Sequence, residues 1–276
     1  MSDVGSTESP KSAGGVSAGA GAGIKVAAVV VSHGNARELE RSLPVLAPQV
    51  DELLVVANVP GSAGPTPPGA RVHENPRPLG FAANVNLGVR ETSGEIVLSV
   101  NPDAVVREGA VAALRDFMAS HPRCGVAGPR MVYPDGSWQP SRRSFPTVLG
   151  TIVRRTPLRL LRDPYRHQVR HYHLDEQPSE PVRADWMLGG FLALRREMLE
   201  ELGGLDEGFR LYGEDIDLCY RAAQAGWECW YVPGAVVEHE HKADTDRRFL
   251  TRRTLWHWAG ILRFVRKHPE RLRALR

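Results

Sequence analysis

The chain has 276 residues, 42% of them hydrophobic and 24% charged, which suits one α/β domain with trimmings. A formal charge of +3 and a pI near 8.9 are too weakly basic to argue for nucleic acid as a partner. No apolar run reaches the roughly 18 residues that a bilayer span needs, and no charged start followed by an apolar core marks a signal peptide.

Residues 1–23 are rich in Gly, Ala and Ser with almost no large apolar side chain, so they read as a disordered leader. A domain then runs over 24–246. Residues 26–31 are a continuous apolar run, the mark of a strand buried on both faces of a parallel sheet. Ser32-His33-Gly34-Asn35 closes it and opens a helix over 36–46, with Leu39, Leu43 and Leu46 on one face. Strands are expected at 53–57 and 71–73, with a Pro/Gly loop over 60–69 between them. The run Gly80-Phe-Ala-Ala-Asn-Val-Asn-Leu-Gly88 starts a helix that ends at Ser93-Gly94, and 95–100 is the next strand. Residues 108–120 make an amphipathic helix with Val111, Leu114, Phe117 and Met118 inward. This order argues a doubly wound, mainly parallel, Rossmann-like sheet, in which ligands bind at the carboxyl ends of strands. Ser32–Asn35, Ala57-Asn58 and Asn101-Pro102-Asp103 lie at such ends.

Further along, 124–129 reads as a strand and Pro134-Asp135-Gly136 as a hairpin turn. Residues 145–182 are basic, His-rich and poorly periodic, a variable loop region. Residues 191–195 read as a buried strand after a Gly-Gly, and 196–202 as a short helix stopped by Gly203-Gly204. Asp206, Glu207, Glu214, Asp215 and Asp217 are five acids within twelve positions, and Leu218, Ala222 and Ala225 put the last three at a helix start. Acids there suit the helix dipole and cap free N–H groups, which is the plain structural reading. A strand over 227–232 then delivers His239 and His241 a few residues beyond its end. From 247 to 276 the chain reads as a basic amphipathic helical extension, with Leu255, Trp258, Leu262 and Val265 at helical spacing. Two readings stand for it: a helix packed on the domain with a solvated basic face, or a peripheral foot on anionic lipid. Cys124, Cys219 and Cys229 are an odd set without metal-ligand spacing and read as reduced thiols of a cytosolic protein.

The segment from Gly189 to His239, with its Gly-Gly strand, Gly203-Gly204, Glu214-Asp215 and Pro233-Gly-Ala-Val-Val-Glu-His239, resembles the family 2 glycosyltransferases of the GT-A fold, in particular the bacterial rhamnosyltransferase branch. The resemblance implies an inverting transferase that moves a sugar from a nucleotide donor to a cell-envelope glycan or lipid-linked acceptor. Asn101-Pro102-Asp103 matches the family's Asp-x-Asp position, so the resemblance makes Asp103 a ligand of Mg²⁺ or Mn²⁺. His239 is the second implied ligand, with His241 in reserve. Asp215 is the implied base that takes the acceptor's proton, and Glu214 an acceptor-orienting neighbour whose like charge raises the proton affinity of Asp215. Asp217 is left as a cap or structural support.

For the donor site the resemblance points to Gly80, Phe81, Ala82, Asn86 and Gly88, beside Ser32, His33, Asn58 and Asn101 at the strand ends. Ala57 stands where the family usually has an acid that contacts the base. The branch implies dTDP-rhamnose, with UDP-galactofuranose or a UDP-hexose as other donors. A non-catalytic nucleotide-sugar-binding protein on the same fold is the reading from a different class. A nucleotidyltransferase would need a glycine-rich Lys/Arg loop after the first strand, which Ser32–Asn35 does not supply. The expected location is the cytoplasm, with the inner face of the plasma membrane as its peripheral variant.

Overall fold

A computed structural model describes residues 21, 23–146, 166, 169–170, 172–209, 211–240 and 252–270. The chain opens with strand β1 (Val26–Ser32), helix α1 (Ala36–Leu46), β2 (Glu52–Ala57), β3 (Arg71–Glu74) and α2 (Phe81–Glu91). Next come β4 (Ile96–Val100), β5 (Ala104–Val106), α3 (Ala110–Ser120), β6 (Cys124–Val132), β7 (Trp138–Gln139) and β8 (Arg142–Arg143). Then follow β9 (Val182–Ala184), β10 (Trp186–Met187), β11 (Phe191–Arg195), α4 (Arg196–Leu202), α5 (Glu214–Gln224), β12 (Glu228–His239) and α6 (Arg252–Lys267).

The main sheet has the order β3-β2-β1-β4-β11-β6-β12-β5. Its first half, β3 to β4, is parallel throughout, as the unbroken apolar runs require. β11 then enters antiparallel to both β4 and β6, and β12 lies parallel to β6. Helices cover both faces. On one side Leu39, Leu43 and Leu46 of α1 and Val111, Leu114, Phe117 and Met118 of α3 enter the core; on the other Val85 of α2, Met198 and Leu199 of α4 and Leu218 of α5 do so. The doubly wound α/β expectation therefore holds, with a mixed sheet.

The departures from the sequence reading that bear on the site lie in β6, β5 and β12. β6 continues through Pro129 to Val132. The short strand β5 follows Asp103 at once, with no helical or turn signal to announce it. β12 does not stop at Val232. Its register against β6 shifts between Val232 and Val236, so Pro233 and Gly234 sit in a bulge and the strand runs on to His239. His239 is thus a strand residue, not one in a following loop. His241 lies outside the described residues.

α6 packs on the domain by an unexpected face. Phe264, 4% exposed, sets its ring edge-on to Tyr220 of α5, and His268 lies edge-on to Tyr220 and tilted against Phe264. A Cβ on Gly260 would stand 2.3 Å from the Tyr212 carbonyl oxygen, so only glycine allows this approach. Two residues of the basic face are partnered: Arg263 and Lys267 both pair with Asp206, at 2.7 and 2.8 Å, and Lys267 also reaches Asp217. Of the four apolar residues at helical spacing, Leu255, Trp258 and Leu262 are exposed and Val265 is half-buried.

Candidate active site

β5 runs antiparallel to β12 with Ala104 opposite His239. That register brings the imidazole beside Asp103, and His239 Nε2 lies 3.5 Å from Asp103 Oδ1. The turn carrying Asp103 is pinned from several sides. Ala104 N–H donates to Asn101 O, Ser42 Oγ of α1 donates to Pro102 O at 2.9 Å, and Asn101 N–H donates to Gly190 O at 3.0 Å.

Gly189 and Gly190, just before β11, join this pair to the acids. A Cβ on Gly190 would stand 2.9 Å from His239 Nε2, and one on Gly189 would stand 3.1 Å from Asp215 Oδ2. Instead, Gly189 N–H donates to Asp215 Oδ2 at 3.1 Å, and Ile216 N–H donates to Oδ1 at 2.9 Å. The backbone before α5 is strained: Tyr212, with φ 71°, is one of two non-glycine residues in the left-handed region among those described, and Gly213 follows at φ 97°. This turn starts α5 and aims Glu214 and Asp215.

The two acids have unequal surroundings. Glu214 is 7% exposed and its Oε2 is buried without a hydrogen-bond partner. Burial, followed by the charge of Asp215, pushes its carboxyl up to about 8. Asp215 is also raised, first by burial, while the Ile216 and Gly189 N–H groups pull it back. The sequence reading assigned the rise at Asp215 to like charge. Desolvation is the larger cause, and the like charge acts on both carboxyls of the pair. Two backbone N–H groups donate to Asp215 and none reaches Glu214 Oε2, so of the two carboxyls Asp215 is the one whose charge is supported.

Asp217, one turn on, is fully buried and accepts from Arg221 Nε at 2.7 Å, Lys267 Nζ at 3.0 Å and His268 Nε2 at 2.8 Å. Arg221 also donates to the Leu202 and Gly204 carbonyls, so this cluster ties α4, α5 and α6 together. No side chain caps the start of α5 by a hydrogen bond; Asp217 is a buried ion-pair hub.

On the other side of the sheet the strand ends form a polar rim. Asn58 accepts from Leu79 N–H at 2.7 Å and Asn75 Nδ2 at 2.9 Å, and donates to Leu79 O; its Nδ2 also lies 3.2 Å from His33 Nδ1. Asn75 passes on to Asn84, which donates to Gly80 O. This buried amide chain shapes the entry to α2. Ser32 is fully buried and donates to Ser62 O. Asn86 clamps the Leu205 backbone through both amide atoms and also donates to Glu207. Gly88 lies against β1, where a Cβ would stand 2.2 Å from Val29 Cγ1. Thus Ser32, Asn58, Asn86 and Gly88 are engaged in holding the fold, while His33, Gly80 and Phe81 line the rim between the ends of β1 and β2 and the start of α2. A separate cavity of about 260 Å³, lined by Arg142, Arg143, Asp185 and Trp227 among others, abuts Ala223 at the far end of α5 from Asp215.

Two contributors were missed in the sequence. Gln139 accepts from His239 Nδ1 at 3.1 Å. Gly189-Gly190 reads in the sequence as a strand boundary and as part of the resemblance, although a paired glycine at such a place also signals close approach of other groups. Nothing in the sequence around Gln139 marked it.

A carboxylate and an imidazole 3.5 Å apart fit a divalent ion between them, since two ligands at right angles about 2.1 Å from such an ion lie ~3 Å apart. No cluster of three or more His, Cys, Asp or Glu side chains suited to a metal occurs among the described residues. This donor set therefore suits an ion that takes its remaining ligands from phosphate and water.

A mixed doubly wound sheet with acids gathered at strand ends is the architecture of GT-A glycosyltransferases. One solved structure of this kind, GalNAc-T7 with UDP, GalNAc and Mn²⁺, superposes with a TM-score of 0.62 at 16% identity, covering 88% of this chain and 48% of that one. The chain belongs to glycosyl transferase family group 2, whose model matches residues 96–275. Within it the chain is similar to rhamnosyltransferases. It is 33% identical over 244 residues to the N-acetylglucosaminyl-diphospho-decaprenol L-rhamnosyltransferase of Mycobacterium tuberculosis (strain CDC 1551 / Oshkosh), covering 80% of this chain and 77% of that protein. It is 34% identical over 92 residues to the rhamnosyltransferase WbbL of Escherichia coli (strain K12), covering 32% of this chain and 34% of that protein.

Proposed function

We propose that this glycosyltransferase transfers a deoxyhexose, L-rhamnose from dTDP-rhamnose, to a lipid-linked or cell-envelope glycan with inversion at the anomeric carbon. The observation that carries this reading is the convergence of Asp103, His239 and Asp215 on the Gly189-Gly190 turn. Asp215 takes the proton of the acceptor hydroxyl as its oxygen bonds to the anomeric carbon, and the bond to the diphosphate breaks with its electron pair on the leaving oxygen. The Gly189 and Ile216 N–H groups hold the carboxylate in place for that transfer. Glu214, protonated at neutral pH, orients the acceptor without adding a second buried charge. Asp103 and His239 hold Mg²⁺ or Mn²⁺, which when bound neutralises charge on the diphosphate. His33, Gly80, Phe81 and Asn101 face the donor. The rhamnosyl choice draws on the names of the two relatives, and the lipid-linked acceptor on that of the M. tuberculosis protein. Purified protein is to be given a panel of nucleotide sugars with a polyprenyl-diphosphate-linked sugar acceptor, and released nucleoside diphosphate read. dTDP-rhamnose should turn over fastest. Preference for UDP-galactofuranose or a UDP-hexose would replace the donor, and no turnover of any donor would defeat the reading.

The outward stripe of α6 supports a peripheral contact with anionic lipid at the cytoplasmic face of the membrane. Leu255, Trp258 and Leu262 are 66%, 37% and 49% exposed, Arg266 lies beside them, and Arg271, Arg273 and Arg276 follow in sequence. No helix among the described residues is long and apolar enough to cross a membrane. The full chain is expected to co-sediment with anionic vesicles at low salt and to lose most of that binding as Trp258→Glu. Equal recovery with neutral and anionic vesicles would leave α6 as a packing helix only.

A further inference from the structure

Gln139 stands at the end of β7, paired with Met131 of β6, and is 2% exposed. The chain just after it is fixed: Ser141 Oγ donates to Pro129 O at 3.2 Å, and Leu188 N–H donates to Ser141 O at 3.0 Å. The backbone that carries Gln139 is therefore held in place. Its Oε1 lies 3.1 Å from His239 Nδ1, while its Nε2 is buried with no partner. A buried amide with one unsatisfied end calls for an explanation. The explanation lies in what the satisfied end does to the histidine. A ring nitrogen that faces an acceptor must carry a proton, so in the neutral ring that binds a metal the other nitrogen is left with its lone pair. Here that other nitrogen is Nε2, which faces Asp103.

We infer that Gln139 is a positioning residue that locks His239 in the tautomer with Nδ1 protonated, turning the Nε2 lone pair toward Asp103 for metal ligation. This rests on the reading of Asp103 and His239 as the metal pair. A rotated amide would do the opposite. Its NH₂ would donate to Nδ1, and the imidazole N–H would then face Asp103 and exclude a cation. Groups that fix a ligating histidine in this way typically change metal affinity by about 10–100-fold when removed.

The test compares Gln139→Glu, which still accepts, with Gln139→Met, which keeps the bulk and loses the acceptor. Uptake of Mn²⁺ is read on the full chain from the loss of the free-ion electron paramagnetic resonance signal, with dTDP present. Gln139→Met should bind Mn²⁺ about 10–100-fold more weakly. Gln139→Glu should stay within about threefold of the parent protein, since it keeps the acceptor. Mn²⁺ affinity unchanged in Gln139→Met would overturn the inference. ¹⁵N NMR of the Mg²⁺-loaded parent protein needs no variant and decides the matter even where Gln139→Met fails to fold: a proton on His239 Nδ1 supports the inference, and one on Nε2 overturns it. A parent protein that takes up no Mn²⁺, or a His239→Ala variant that takes it up unchanged, would instead refute the metal pair itself.

Discussion

Asp215→Asn is expected to lower kcat by about 10²–10⁴-fold while donor affinity changes by less than about threefold, because a general base contributes ~3–5 kcal/mol of barrier at about 1.4 kcal/mol per decade. The substitution keeps the size of the side chain and, through its amide oxygen, one of the two contacts with the Gly189 and Ile216 N–H groups. What it removes is the proton acceptor. Asp217→Asn is the control, and the geometry makes it a severe one. Asp217 is fully buried among Arg221, Lys267 and His268, so neutralising it leaves Arg221 facing no carboxylate there and Lys267 with Asp206 alone. Breaking such a buried cluster costs about 3–5 kcal/mol, more than the loss of a helix cap. Its effect should appear in the melting temperature, with kcat of the folded fraction near the parent value. Transfer rate, donor affinity and melting temperature measured side by side separate the two. If Asp217→Asn stops turnover in folded protein and Asp215→Asn does not, the base is the wrong carboxylate.

Asp217 reads in the sequence as a cap or a structural support, and in the structure it is a buried hub. A carboxylate in the first turn of a helix satisfies local rules whichever way it points, and its true partners lie four, fifty and fifty-one residues away in sequence. The same limit applies to α6. Leu255, Trp258 and Leu262 have the spacing of a core face, but the domain is met by Gly260, Phe264 and His268, where a small residue allows close backbone approach. Hydrophobic period shows that a helix is amphipathic and not which side finds a partner. The parallel half of the sheet was legible because β1, β2 and β4 are buried on both faces and so need unbroken apolar runs. The places of Asp103 beyond a strand end and of Glu214-Asp215 at a helix start were legible from the pattern, while the roles proposed for them draw on the resemblance. Gln139 was not, because its importance comes from one contact with a residue a hundred positions away.

Removal of divalent metal is expected to abolish transfer, and Asp103→Ala to do the same in saturating metal. The leaving diphosphate gathers charge, and a divalent ion contributes several kcal/mol to stabilising it, so the loss should be at least ~10³-fold. Asp103 suits this part on structural grounds. It is held by a turn that Ser42 and Gly190 fix, its side chain is 20% exposed, and it faces His239 at 3.5 Å. A one-carboxylate, one-imidazole set also favours Mn²⁺ over Mg²⁺, since nitrogen ligands suit the later, softer ion better than magnesium. After treatment with EDTA, Mn²⁺ should therefore restore the rate at lower concentration than Mg²⁺. His239→Ala should narrow that difference, because it leaves oxygen ligands only. The check is a titration of transfer rate against each ion for the parent protein and the two variants, with melting temperatures in parallel. Full activity in metal-free buffer, or an unimpaired Asp103→Ala, would show that Asp103 and His239 meet for a structural reason and that the charge on the diphosphate is met by other groups.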